Sequence, residues 1–254
     1  TDAKMSIVDH FMEFKKRFIL SLAFFIFTFA ICWTYREVFL KFFTYPLLKN
    51  STINHLIFTK ITEAFTSYIH IIFLSALVFS LPFILTQIWM FLSPALSHNE
   101  KSATRGYTIA SLFLFFSGAI FAYFFIIPVM FDFFLGFQNF VKTDTALSLY
   151  IEPKISEYIS TIQSMLMAFG LAFQLPIGLV LSVQTGILSL NDLKYNRKYA
   201  ILSATIIGAV LTPPDVISQI MLALPLLVLY EASILYLSLK KSIYNRRKIK
   251  HKKQ

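Results

Sequence analysis

Glu13 and Glu100 are the side chains of this sequence best suited to recognising a charge. Glu13 sits in the run His10-Phe11-Met12-Glu13-Phe14-Lys15-Lys16-Arg17. There Asp9, Glu13 and Arg17 fall at i, i+4 and i+8 on one helical face, and Phe11, Phe14 and Phe18 form the adjoining apolar stripe. Glu100 follows His98 and Asn99 and precedes Lys101. Each acid has an ordinary reading. For Glu13 it is an ion pair with Arg17 worth about 0.2–0.5 kcal/mol; for Glu100 it is a solvated loop charge. Taken together on one basic surface, two carboxylates suit a ligand carrying paired guanidinium groups, which meet carboxylates in a two-pronged fork.

Three further polar residues lie inside apolar stretches, where each needs a partner: Glu231, Gln174 and Gln219. Glu231, about two turns before Lys240, either snorkels toward the interface or pairs with a neighbouring helix. The amides either join this chain's own helices or receive a helix from another subunit.

The elements that must position these residues are membrane spans. Of the 254 residues 57% are hydrophobic and 14% charged, a composition foreign to a soluble domain. A bilayer core about 30 Å thick needs roughly 20 apolar residues per helix. Six stretches qualify or nearly so: about 18–35, 65–92, 107–131, 159–183, 199–211 and 216–239. The spans make one membrane domain, 1–239, followed by a basic tail, 240–254. The N-terminal segment, the second and fourth gaps and the tail hold 17 lysines and arginines, against 6 in the gaps between. The positive-inside rule then puts both termini in the cytoplasm. The first span, with a long amphipathic lead and no small-residue cleavage site, reads as a retained helix.

Other function classes find little support. The net charge of +10 is concentrated beside a span, where topology and anionic headgroups account for it better than nucleic acid does. Cys32 is the single cysteine and cannot form an intramolecular disulfide. The five histidines are scattered. No nucleotide-binding loop, metal-ligand spacing or Ser/His/Asp set is present, so neither an enzyme nor a bound cofactor is expected.

Pro82, Pro128, Pro176 and Pro225 fall within spans and predict bends. In Thr212-Pro213-Pro214-Asp215, Thr212 is expected as the N-cap of the sixth helix, Pro213 as its first residue and Asp215 as its third. Spans five and six then form a hairpin. Only 14 residues separate Lys198 from Pro213, about 21 Å of helix and less than the hydrocarbon thickness.

Along nearly the whole length the sequence resembles the TatC family, the multispanning subunit of the twin-arginine protein translocase. His10 to Arg17 is similar to that family's HLxELRxR start, and Thr44-Tyr45-Pro46-Leu47 to its first-loop proline motif. Thr62-Glu63-Ala64-Phe65 resembles its approach to the second span. Pro82, Gln87, Trp89, Phe91, Pro94, Leu96 and Glu100 resemble its P…QxWxFxxPxL…E block. Gly118, Phe121, Tyr123 and Phe124, then Phe169-Gly170, Phe173 and Pro176, match its third and fourth spans. Leu211-Thr212-Pro213-Pro214-Asp215 with Ser218-Gln219 resembles TPPDxxSQ, and Tyr230-Glu231 the LYE. Departures are Gln174, where the family usually has glutamate, and Lys15 and Lys101, where arginine is common.

The resemblance implies an all-α, six-span, concave glove-like bundle with short fifth and sixth helices, in a bacterial plasma membrane. It implies that Glu13 and Glu100 bind the twin-arginine signal peptides of folded cargo, with Lys16, Arg17 and Phe91 shaping the surface. It implies docking of single-span TatA and TatB subunits, for which Gln174, Thr212 and Gln219 are the expected contacts, homo-oligomers within a larger complex, and energy from the proton-motive force. Pro46, Glu63, Phe65, Pro82, Pro94, Pro213, Pro214 and Asp215 are its structural positions. The rival from another class is a small-solute secondary transporter with Gln174, Gln219 and Glu231 lining a pathway. Transporters often repeat their halves, and spans one to three share no pattern with four to six.

Overall fold

The computed structural model describes residues 7–50, 57–92, 104–140, 153–212 and 215–251. Pro94, Glu100, Pro213 and Pro214 lie outside them. Among the described residues the secondary structure is helical, apart from one parallel bridge between Ile57 and Lys154. The chain runs α1 (Ile7–Thr34), α2 (Arg36–Asn50), α3 (Glu63–Leu92) and α4 (Thr104–Phe121). A π turn (Ala122–Ile126) leads into α5 (Ile127–Phe140), followed by α6 (Ile155–Ala172), α7 (Leu175–Gln184), α8 (Leu190–Tyr195), α9 (Arg197–Leu211) and α10 (Val216–His251). Among the described residues, five stretches are long and apolar enough to cross a membrane: Val8–Thr34, Glu63–Phe91, Gly106–Phe134, Ile155–Gln184 and Val216–Ile243. At 15 residues α9 rises about 22 Å, short of the hydrocarbon thickness.

Several expectations need correcting. The sixth helix is not short: α10 has 36 residues, because Lys, Arg and Tyr beyond the apolar run still propagate a helix. The fourth span is two helices, broken at Phe173–Gln174, with Pro176 in the first turn of the second. The gap between the first two expected spans holds α2. The third span bears its disturbance as a π turn ahead of Pro128: the Ile127 N–H reaches back five residues to the Ala122 carbonyl.

The contacts divide the chain into two units, residues 1–113 with 121–163, and 114–120 with 164–254. In the first, α1 and α3 lie antiparallel. Trp33 meets Phe65, Phe25 meets Phe73 edge-on at 5.2 Å, and Phe24 stacks on Phe83 at 4.5 Å. Cys32, Ile72 and Ala76 form a buried cluster under Phe25, Phe29 and Trp33. Buried in this layer, Thr28 turns its Oγ1 back to the Phe25 carbonyl at 2.8 Å. Pro46 explains a second tie. It has no N–H, so the carbonyl of Phe42 four residues earlier lacks its helical donor. The Tyr123 hydroxyl supplies one at 2.7 Å, with its ring stacked on Phe42 at 4.6 Å.

In the second unit, glycines set the closest approaches. A Cβ on Gly118 would lie 2.5 Å from the Phe169 carbonyl oxygen, and one on Gly170 would lie 2.5 Å from the Phe115 ring. Small residues let membrane helices pack this tightly. Gly118→Ala is therefore expected to destabilise the detergent-purified protein by about 1–3 kcal/mol, read as a lower melting temperature. Gly178→Ala, whose Cβ would meet nothing within 4 Å, is the neutral control. Further on, α9 and α10 form the expected hairpin, and a Cβ on Gly208 would sit 2.9 Å from the Gln219 carbonyl oxygen.

Candidate functional site

The charged end of the α1–α3 pair gathers four residues that the sequence set apart. Glu13 and Arg17 are one turn apart on α1 and ion-paired, with Arg17 Nε donating to Glu13 Oε1 at 3.0 Å. Arg17 Nη1 donates to Gln87 Oε1 on α3 at 3.2 Å, so the guanidinium bridges both helices. Phe91, one turn beyond Gln87, stacks on His10 at 4.4 Å and meets Phe14 at 5.5 Å. Lys16 is exposed on another face of α1. Glu100, the intended second carboxylate, lies outside the described residues, so the geometry bears on one half of the pair.

Two features make this end more than an ordinary ion pair. Arg17 engages Oε1 only. Glu13 Oε2 is out of contact with solvent and has no hydrogen-bond partner among the described residues, a buried acceptor whose capacity is unmet. Next to it, a groove of about 540 Å³ opens between α1 and α3, walled by Phe18, Leu22, Phe25, Phe73, Leu77 and Ile84. Arg17 and Gln87 belong to its polar lining, and Glu13 stands behind Arg17 without lining the groove itself. A carboxylate beside an apolar groove suits a ligand that is basic and then apolar.

Gln87 is the residue that sequence reasoning undervalued here. It was visible as a lone amide in the last turns of an apolar helix, but only the fold shows which cation it meets.

The structural positions divide by role. Glu63 begins α3 and is 5% exposed. Its Oε2 accepts from the Thr59 and Lys60 backbone N–H groups at 2.6 and 3.2 Å and from the Thr59 hydroxyl at 3.1 Å; its Oε1 accepts from the Ser156 hydroxyl at 2.6 Å and N–H at 3.3 Å. One carboxylate thus ties the start of α3 to the start of α6. Phe65 packs against Trp33, and Pro82 lies inside α3.

At the turn before α10 the capping assignment changes. Asp215 directly precedes α10, and its Oδ1 accepts from the Ser218 N–H at 2.6 Å, so Asp215 is the N-cap. Thr212 instead closes α9: its N–H and Oγ1 both donate to the Gly208 carbonyl, at 3.0 and 2.8 Å. The shorter carboxylate stands where cap geometry requires it, one residue before the helix rather than within it. Asp215→Ala is expected to cost about 1 kcal/mol of helix stability, with Asp215→Asn restoring most of it. Circular dichroism melts of the three proteins measure this.

Of the amides, Gln219 Nε2 donates to the Thr205 carbonyl at 3.1 Å across the hairpin, and Gln174 occupies the break before α7. Glu231 pairs with Arg197 at the start of α9, Nε to Oε1 at 2.7 Å and Nη2 to Oε2 at 2.8 Å. That two-pronged contact is the neighbouring-helix alternative for Glu231. The turn before α8 carries a reciprocal cap between Ser189 and Asp192, and the Ser189 N–H lowers the Asp192 carboxyl from its usual value.

A family profile described as Sec-independent protein translocase protein (TatC) matches residues 9–225. Proteins named Sec-independent protein translocase protein TatC are similar across the chain. That of Rickettsia prowazekii is 38% identical over 91% of this chain and 91% of its own, that of Magnetococcus marinus 36% over 92% and 84%, and that of Escherichia coli 31% over 91% and 87%. A crystal structure of the twin arginine translocase receptor TatC superposes with a TM-score of 0.78 at 34% identity, covering 89% of this chain and 98% of that one. The profile spans most of the sequence and the relatives match it nearly end to end: the chain belongs to the TatC family of Sec-independent protein translocase proteins.

Proposed function

We propose that this protein is the receptor and core subunit of its translocase, binding twin-arginine signal peptides of folded proteins at the Glu13 end of α1 and α3. The observation that carries the reading is the Glu13 carboxylate, one oxygen shared with Arg17 and the other without a partner among the described residues, beside an apolar groove that Arg17 lines. A signal peptide presents basic residues followed by an apolar run of 7–15 residues, in the order this surface would receive them. Glu100 is proposed as the second carboxylate, and Lys16 and Phe91 as its surroundings. Both termini face the cytoplasm of a bacterial inner membrane, as the distribution of lysine and arginine supports. Single-span TatA- and TatB-type subunits are the proposed partners, with Gln174, Thr212 and Gln219 marking their docking region and the proton-motive force driving export.

A photo-crosslinker at position 14 or 91 tests the reading in native membranes. It should capture a twin-arginine peptide and capture poorly its twin-lysine counterpart, which keeps the charge but loses the guanidinium fork. Equal capture of the two peptides, or of neither, would sink the assignment.

A further inference from the structure

Away from the carboxylate site, the far end of α10 forms a second cleft. Its volume is about 520 Å³, and α7, α8 and α10 supply its walls: Val183, Leu190, Leu237 and Ile243 with Lys240 and Lys241; Gln184 also lines it. The floor is apolar. Leu190 and Leu237 are buried and offer no hydrogen-bonding atom. The rim is cationic and uncompensated: neither lysine takes part in an ion pair among the described residues. The acids nearby are committed elsewhere, Glu231 to Arg197 and Asp192 to its own capping turn. Beyond Glu231 the chain holds no further Asp or Glu.

Depth narrows the choice of ligand. From the cap at Asp215 to Lys240 is 25 residues of helix, a rise of about 37 Å. That exceeds the roughly 30 Å hydrocarbon core. With the 212–215 turn at one interface, the two amines emerge at headgroup level on the other, while Leu237, a turn earlier, faces the ends of the hydrocarbon layer. Lysine stems also extend outward along such a boundary. A ligand matching both halves needs a fixed negative charge joined to a hydrocarbon chain.

We propose that this cleft is a binding site for an anionic phospholipid. The phosphate ester lies between Lys240 and Lys241, and an acyl chain covers Val183, Leu190 and Leu237. A free phosphate would satisfy the lysines and leave the apolar floor wet. A zwitterionic lipid would bring its own cation toward the amines. The inference is independent of what the Glu13 site binds.

Native mass spectrometry of the full-length protein in detergent is the test, with phosphatidylglycerol and phosphatidylcholine of matched chains as probes. The wild type should retain phosphatidylglycerol preferentially. Each lysine at an anionic surface contributes about fivefold in affinity, so Lys240→Gln with Lys241→Gln should weaken retention by about 30-fold. Lys250→Gln with Lys252→Gln removes the same charge from the tail and should change retention little. Val183→Trp fills the cleft with every charge kept and should also expel the lipid; should that variant not fold, the two lysine pairs decide alone. Equal losses from both lysine pairs would mean diffuse attraction by the tail and would overturn the site. So would glycerol phosphate binding as tightly as the lipid, or a folded Val183→Trp protein that retains the lipid as the wild type does.

Discussion

Glu13→Lys is expected to abolish capture of twin-arginine peptides while leaving the protein folded. The reversal sets a cation against the incoming guanidinium and against Arg17, which now donates to Glu13 at 3.0 Å and to Gln87 at 3.2 Å. Losing one partner of a hydrogen-bonded charge pair at an interface costs 2–5 kcal/mol or more, so peptide affinity should fall at least about 30-fold. The resting Glu13–Arg17 pair is an i, i+4 contact whose side chains are only 18% and 20% exposed, so reversing one partner also costs stability. Binding lost beyond what the lower melting temperature accounts for is therefore the signature of a recognition residue. Glu13→Asp keeps an acceptor on a shorter stem and should be milder. Glu100→Lys should act in the same direction on the motif argument alone. Binding of a labelled peptide at low and high salt measures both parts, since an interaction between partly exposed charges weakens as salt rises. Unchanged affinity in Glu13→Lys would remove this residue from the site.

The spans were readable because membrane insertion is decided segment by segment, by length and hydropathy. Five of the six expected stretches fall in helical segments long and apolar enough to span, the third and fourth of them interrupted, and the exception, 199–211, is the one whose shortness could be calculated beforehand. Helix ends were less readable, because a helix need not stop where the membrane does: α10 continues through Lys240 and Lys241 to His251. Thr212 was misassigned for a related reason. Threonine suits either side of a turn, and the start of α10 at Val216 gives the cap to Asp215. The Glu13–Arg17 contact followed from one-turn spacing. Gln87 lies 70 residues from Arg17, and Ser156 lies 93 from Glu63; no local pattern encodes such pairings. Pro46 sits between these cases. Its missing N–H announces an orphaned carbonyl at Phe42, but that Tyr123 answers it emerges only once α2 and the π turn are placed together.

Glu63 carries the largest structural effect expected of one substitution. Five donors converge on its two oxygens: three from Thr59 and Lys60, just before α3, and two from Ser156 in the first turn of α6. Every one is a donor, and an ionised carboxylate is the side chain that accepts from all of them while donating to none. Alanine at this position would leave both turns without their acceptor, and hydrogen bonds to a charged group contribute about 1.5–3 kcal/mol each, of which water at the exposed Thr59 and Lys60 recovers part. Glu63→Ala should therefore lower the melting temperature of the purified protein by at least about 5 °C. Export should fall in proportion to folded protein, not to peptide affinity. Glu63→Gln keeps the shape but replaces one oxygen with an NH₂ that faces donors, so it should recover only part of the loss. Ser156→Ala removes one hydroxyl and keeps the N–H contact, so it should be the mildest of the three. This order, Ala worse than Gln worse than Ser156→Ala, separates a clasp from a ligand-binding acid. A Glu63→Gln protein that melts like the wild type yet fails to bind peptide would move Glu63 from the scaffold to the receptor surface.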